Sequence, residues 1–244
     1  PRTHPMNRIL FEELRESYTL PVRDPRFEHV RGVLRMQVGD RFDIGVLNGP
    51  VGKATVQRLD KESLTVSADW GERPPLPPDL HLLVGLCRPA TVRKILSTAP
   101  TLGVRSVTFA GTGRSDPAYA CSRIWRDGTW RRYLIEGVEQ AFDTYLPPVR
   151  VHDSLEAALA TAPERSERLA LDVYESTESL GRHGIDAGRP VLLAIGPERG
   201  WNAADRKILL ASGCRLCSAG TRVLRVETAV TVGLTLILRA MGAL

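Results

Sequence analysis

Cysteine is scarce in this chain: Cys87, Cys121, Cys214 and Cys217 are the four among 244 residues. So few and so scattered, they exclude a disulfide framework and point to a reducing compartment, so the expected location is cytoplasmic. Cys214 and Cys217 have C-x-x-C spacing. Without a second pair or a histidine cluster, zinc and redox chemistry lack their ligands, so buried structural thiols and no metal site are expected. No apolar run approaches 18 residues, and no charged stretch followed by a short apolar one opens the sequence. Neither a membrane span nor a secretory signal is therefore indicated. The patterns G-x-G-x-x-G and G-x-x-x-x-G-K-[ST] are also missing, which removes motif support for a dinucleotide fold and for a P-loop. There is no internal repeat, low-complexity tract or heptad pattern. What is left is an ordinary globular composition, 43% apolar and 25% charged with a net charge of +5, enough for one large or two modest domains.

The most informative stretch runs from Val191 to Thr228, VLLAIGPERGWNAADRKILLASGCRLCSAGTRVLRVET. Its five consecutive apolar residues, Val191 to Ile195, are too few for a helix and unbroken by polar positions, as in a central parallel strand covered on both faces. Gly196, Pro197 and Gly200 then make a tight loop. Asn202 precedes a helical run over Ala203 to Ala211 that stops at Gly213. A short apolar segment around Leu216, a second loop over Gly220 to Arg225 and a long apolar helix from about Glu227 to Met241 follow. Two loops thus leave one end of a sheet, where ligands of open α/β folds sit and where glycine lets backbone approach a ligand closely.

GPERGW followed by AGTRVLRVETA closely resembles the paired C-terminal motifs of the RsmE family of 16S ribosomal RNA uridine methyltransferases. The resemblance implies a SPOUT-type α/β trefoil-knot domain over residues 80–244 that binds S-adenosylmethionine. It implies cofactor contacts that are mostly backbone, from Leu171, Ile195, Gly196, Gly200, Ala219, Gly220, Leu224 and Thr228. HVRGVLRMQVGDRFDI is similar to the start of the same family, where a small PUA-like β-barrel helps to hold RNA. That domain is expected over residues 1–73, with a strand from Arg8 to Phe11, a helix over Pro25 to Leu34 and three β-rich runs between Asp40 and Ala68. Asn48-Gly49-Pro50 and Asp60-Lys61 supply the turns.

Residues 72–79, ERPPLPPD, read as an extended linker, because proline continues neither helix nor sheet. Strand and helix alternate after it. Strands are expected at Leu80–Leu86, Val104–Phe109 and Leu169–Val173, and helices at Thr91–Ala99 and Ser154–Ala162.

Charge points to nucleic acid independently of any resemblance. Between Arg88 and Arg132 lie nine basic residues against Asp116 and Asp127 alone, with Tyr119, Trp125, Trp130 and Tyr133 interleaved. Such a segment suits neutralised phosphates and stacked bases, although each aromatic taken singly is better placed in a core. RNA contacts are expected from Arg8, Arg31, Arg35, Arg114 and Arg123.

The reaction implied by the resemblance moves a methyl group from the sulfonium of the cofactor to ring nitrogen 3 of uracil in 16S rRNA of the small ribosomal subunit. That nitrogen carries a proton, so the site must remove it or stabilise the developing anion. Arg225 is the candidate cation for a uracil oxygen, and Glu227 or Glu198 the candidate proton acceptor, with a helix-start carboxylate as the alternative role for Glu227. Pairing of knotted domains into a homodimer is implied as well, and the helix after Thr228, apolar on nearly every face, carries more apolar surface than one side of a surface helix needs. Some positions depart from the family pattern. Arg199 stands where glycine is usual, Ala141, Phe142 and Asp143 replace the end of an EQSGR motif begun by Glu139-Gln140, and Thr98 and Thr101 replace a lysine and a glutamate before Leu102-Gly103-Val104. The other readings are a non-catalytic RNA-binding or ribosome-assembly protein that keeps the knot, and a methyltransferase of this class with a different RNA target.

Overall fold

A computed structural model describes residues 7–182, 184–186 and 188–244. The chain divides into two compact units, residues 7–76 with Val138–Leu146, and Pro77–Gly137 with Pro147–Leu244.

The first unit holds β1 (Ile9–Phe11), β2 (Ser17–Pro21), β3 (Arg41–Val46), β4 (Val51–Leu59) and β5 (Ser63–Trp70), in the sheet order β1-β3-β4-β5-β2. The pair β1–β3 is parallel and the others antiparallel, giving a mixed half-barrel closed over Phe27, Phe42, Ile44, Leu64 and Val66. Asn48 turns the β3–β4 hairpin at φ 56°, a left-handed conformation that asparagine tolerates better than most residues. Asp60 turns the next one by accepting N–H bonds from Glu62 and Ser63 at 2.9 and 2.8 Å. The helix expected over Pro25–Leu34 is in fact short. Asp24 caps α1 (Pro25–Glu28), which widens into a π-helical turn over His29–Val33 and ends before Arg35, at φ 52°.

Val138–Leu146 belongs to this unit although it lies far along the chain. Asn48 N–H donates to the Thr144 carbonyl at 2.7 Å, the Thr144 hydroxyl to the Gly49 carbonyl at 2.8 Å, and Leu146 N–H to the Asn48 side chain at 3.0 Å. Gly45 makes room for this: a Cβ there would stand 2.6 Å from the Thr144 methyl.

The second unit is a parallel sheet of β6 (Leu80–Gly85), β7 (Ser106–Ala110), β8 (Val149–His152), β9 (Glu167–Leu171), β10 (Glu178–Ser179), β11 (Val191–Ile195) and β12 (Arg215–Ser218). Its order is β10-β12-β9-β11-β6-β7-β8. The strand expected to be central is β11, fourth of the seven, parallel to β9 and β6 and buried at every residue. Besides α3 (Arg123–Arg126), the helices are α2 (Pro89–Thr101), α4 (Trp130–Gln140), α5 (Leu155–Ala160), α6 (Ala203–Ala211) and α7 (Val226–Ala240). Helices α5 and α6 pack on one face of the sheet through Leu155, Leu159 and Leu209 against Leu192 and Ala194. Helix α7 takes the other face. Its Gly233 lets it approach closely, since a Cβ there would stand 2.8 Å from a Leu193 methyl. Among the described residues no helix is long and apolar enough to cross a membrane.

Candidate active site

The carboxyl ends of β12, β9 and β11 lie side by side, and their three loops enclose a cavity of about 650 Å³ to which the loop after β7 adds Gly113 and Arg114. That is the size of a small-molecule site at the place where open α/β sheets bind ligands.

The loop after β11 is built around two glycines. Gly200, at φ 64°, returns its N–H to the Pro197 carbonyl at 2.7 Å. A Cβ on Gly196 would stand 3.0 Å from Gly200 Cα, so the loop folds this tightly only with glycine at 196. Arg199 is not at positive φ, so the position where the resembled family has glycine accepts a side chain without reshaping the turn. Trp201, 2% exposed, donates its indole N–H to the Leu171 carbonyl at 3.0 Å and pins this loop to the end of β9. Asn202 and Asp205 form a reciprocal cap on α6, and the other Asp205 oxygen accepts the Gly113 N–H at 2.9 Å, which holds the β7 loop.

The loop after β9 is organised by Asp172, which is buried. One carboxylate oxygen accepts the N–H groups of Tyr174 and Glu175 at 2.7 and 3.0 Å, and the other meets Arg206 Nε at 2.5 Å. Burial pushes this carboxyl up, but the Arg206 guanidinium and the two N–H groups more than reverse it, leaving the group below the usual carboxylate range. After β12 the backbone passes through Gly220 at φ 122°, a region closed to most side chains.

Leu171, Ile195, Gly196, Gly200, Ala219, Gly220 and Leu224 all line the cavity; Thr228 does not, and lies exposed in the first turn of α7. Of the three residues singled out for chemistry, Glu198 and Glu227 both bond to the first two turns of α2, Arg225 acts electrostatically on Glu227, and Glu198 alone of the three lines the cavity. Glu198 lines the cavity, yet its carboxylate accepts the Arg88 N–H and the Thr91 hydroxyl, both at 3.0 Å, at the start of α2. Glu227 is outside it, ion-paired with Lys94 at 2.8 Å. The Lys94 hydrogen bond holds its carboxyl below the usual range, which makes it a weaker proton acceptor. Arg225 is the exposed N-cap residue of α7, also outside the cavity lining, and its guanidinium forms no hydrogen bond or ion pair among the described residues. Its charge nevertheless contributes to lowering the Glu227 carboxyl, behind the Lys94 hydrogen bond.

Of the residues expected to hold RNA, Arg114 lines the cavity and donates to the Arg199 carbonyl at 2.6 Å, and Arg123 is exposed beside Asp127 at 3.3 Å. In the first unit Arg31 and Arg35 are exposed. Arg8 is instead half-buried over the Phe142 ring at 5.4 Å, with burial lowering its pKa. Trp125 packs on Phe109 at 5.1 Å, and Tyr133 lies under both Arg93 and Arg132 at 5.0 Å. Cys214 and Cys217 are buried thiols pushed up to about 11 and about 12 by desolvation. Asp172, Arg206 and Trp201 were the site residues that sequence reasoning passed over. A carboxylate closing an apolar strand and a tryptophan closing GPERGW were the available signals.

Residues 74–238 match the family model of an RNA methyltransferase domain, and residues 22–69 that of an RNA methyltransferase PUA domain. Sheet, loops and cavity are those of an RNA methyltransferase carrying a PUA domain. Ribosomal RNA small subunit methyltransferase E of Treponema pallidum is 31% identical, the match covering 96% of this chain and 91% of that protein, and its Bacillus subtilis namesake is 23% identical over 93% and 92%. The chain belongs to the ribosomal RNA small subunit methyltransferase E family. The crystal structure of such a protein from Neisseria gonorrhoeae, bound to S-adenosyl methionine, superposes with a TM-score of 0.79 at 20% identity, covering 96% of this chain and 98% of that one. At that identity the likeness is one of fold.

Proposed function

We propose that this protein transfers a methyl group from S-adenosylmethionine to ring nitrogen 3 of a uridine in the 16S ribosomal RNA of the small subunit. The observation that carries the reading is the cavity itself, floored by glycine-loop backbone at three neighbouring strand ends in a chain of this family. Its lining fits the cofactor. Leu171, Ile195 and Leu224 offer apolar surface, and Gly196, Gly200 and Gly220 offer backbone N–H and C=O groups unobstructed by side chains.

When bound, S-adenosylmethionine supplies an electrophilic methyl carbon whose bond to sulfur breaks as the bond to nitrogen forms, the electron pair staying on sulfur. The chain's own part is to orient the uracil and to carry the charge left when the N3 proton departs to solvent. Arg225, exposed and with no hydrogen bond or ion pair among the described residues, offers a cation for a uracil oxygen. Glu227, committed to Lys94, contributes by positioning α2 and α7 rather than by taking the proton. Arg31 and Arg35 on the residue 1–73 domain, and Arg114 and Arg123 on the residue 80–244 domain, supply phosphate contacts. The trefoil knot and a homodimer belong to the same reading and rest on the family resemblance, and a cytoplasmic location rests on the few, scattered cysteines.

Incubation with labelled S-adenosylmethionine and unmodified small subunits, followed by mapping of the label, tests it. Label on N3 of one uridine is expected. Cofactor binding without label would leave a non-catalytic assembly protein, and label on another base or on ribose would change the target.

A further inference from the structure

The two most exposed large apolar side chains among the described residues are Tyr174, 74% exposed, and Val223, 71% exposed. Single exposed apolar residues need no explanation, but these two stand on different loops, after β9 and after β12, and both line the same cavity. The charge around them is one-sided. Four arginines line the cavity against two carboxylates, and both carboxylates are engaged, Asp172 by Arg206 and Glu198 by the start of α2. Arg114 spends one N–H on a neutral carbonyl, and Arg199 and Arg222 are exposed with no ion pair among the described residues. Their positive charge stays available at the rim.

An exposed aromatic face beside uncompensated arginines is the recognition chemistry of an unpaired nucleotide: stacking for the base, cations for its phosphates. We propose that Tyr174 stacks on a base of single-stranded RNA at the mouth of this cavity, with Val223 adding apolar contact and Arg114, Arg199 and Arg222 taking the adjoining phosphates. S-adenosylmethionine accounts for little of this rim. Its carboxylate can pair with one arginine, but it carries no phosphate, arginine repels its sulfonium and ammonium, and the Tyr174 ring, three-quarters exposed, is not enclosed by the cavity wall. The inference rests on the RNA-modifying reading above and names where that RNA enters.

The test compares wild type with Tyr174→Ala, Tyr174→Phe and the pair Arg199→Gln with Arg222→Gln. Measured are KM and kcat for small subunits, anisotropy with a labelled uridine-containing single-stranded oligonucleotide, and cofactor affinity by calorimetry. Tyr174→Ala should raise RNA KM and oligonucleotide Kd between about fivefold and a hundredfold. Tyr174→Phe keeps the stacking face and should match wild type, with cofactor affinity unchanged in both Tyr174 variants. The arginine pair should flatten the plot of log affinity against log salt by about 0.7 per arginine. The proposal fails if Tyr174→Ala weakens cofactor binding but not RNA, or if wild type binds the oligonucleotide no better than Tyr174→Ala does. Failure of wild type to label any uridine would sink the functional reading separately, while the oligonucleotide still scores the stacking.

Discussion

At the scale of single residues, Asp172 holds the most consequential position, because one buried carboxylate joins the loop after β9 to α6. Arg206→Met keeps most of the volume but leaves that carboxylate without its cation. Breaking a buried pair from one side costs about 3 kcal/mol or more, to be read from urea unfolding at neutral pH. The pH dependence follows from the sign of the shift. The folded group lies below its ordinary value of 3.8, so its stabilising contribution is full above that value and is lost as pH falls through the lower folded pKa. The gap between wild type and Arg206→Met should therefore close below about pH 4; a gap that stays constant to pH 3 would place its origin in packing. Arg225 can be judged as sharply. Arg225→Lys retains charge without the planar fork, so single-turnover methyl transfer should slow by about tenfold or more while cofactor affinity barely moves. A normal rate would remove it from the chemistry. Phe142 replaces the glycine of an EQSGR-like motif and holds φ 57°, a left-handed conformation that glycine adopts more readily, with the Arg8 guanidinium lying over its ring. Asp143, standing where the EQSGR motif has arginine, accepts the N–H of Thr144 at 2.6 Å and of Tyr145 at 3.2 Å and shapes the turn after α4.

At the scale of elements, the cavity depends on close approaches that only glycine permits. Gly85, at the end of β6, is the clearest case, since a Cβ there would collide with the Pro197 ring and stand 2.7 Å from its nitrogen. Neither partner is the far end of a flexible side chain, so Gly85→Ala should displace the loop after β11. A drop in cofactor affinity of about tenfold, with a stability loss of about 1–3 kcal/mol, is expected from calorimetry and urea unfolding; unchanged affinity would show that the loop can shift without consequence. These elements also mark what was legible beforehand. The strand β11, the helices α6 and α7 and the loops between them were readable because an unbroken apolar run, a cap and well-placed glycines agree with one another. Helix α4 was not, since Trp130, Arg131, Arg132 and Tyr133 make its first turn look like part of a nucleic-acid surface. The edge strands β2 and β8 carry too few buried residues to stand out, two in β2 and none in β8. No local signal could have sent Val138–Leu146 back to the first unit, because that depends on Thr144 fitting over a glycine ninety-nine positions earlier.

At the scale of the whole molecule, the apolar character of α7 does not by itself require a partner. Its Val226, Ala229, Val230, Leu234, Ile237 and Leu238 are buried within the chain, and the exposed stripe is Thr228, Thr231, Thr235 and Arg239. A second subunit on this helix would thus cover mainly hydroxyls rather than excess apolar surface. The Thr231 hydroxyl already bonds the Glu227 carbonyl at 3.0 Å, so this threonine can be covered by a second subunit without stranding a donor. A homodimer meeting across this stripe would also bring two copies of Arg225, the N-cap residue of the same helix, toward the shared interface. Light scattering at micromolar concentration should give twice the chain mass for wild type. Thr231→Arg and Thr235→Arg place bulky charge on the stripe without touching the cavity lining and should give the single-chain mass. Those monomers should still bind S-adenosylmethionine, whose cavity lies within one unit of one chain, but should lose methyl transfer to small subunits if the RNA site draws on both chains. Wild type that scatters as a monomer would end the dimer proposal, and a monomeric variant with full transfer would show that one chain carries the whole reaction.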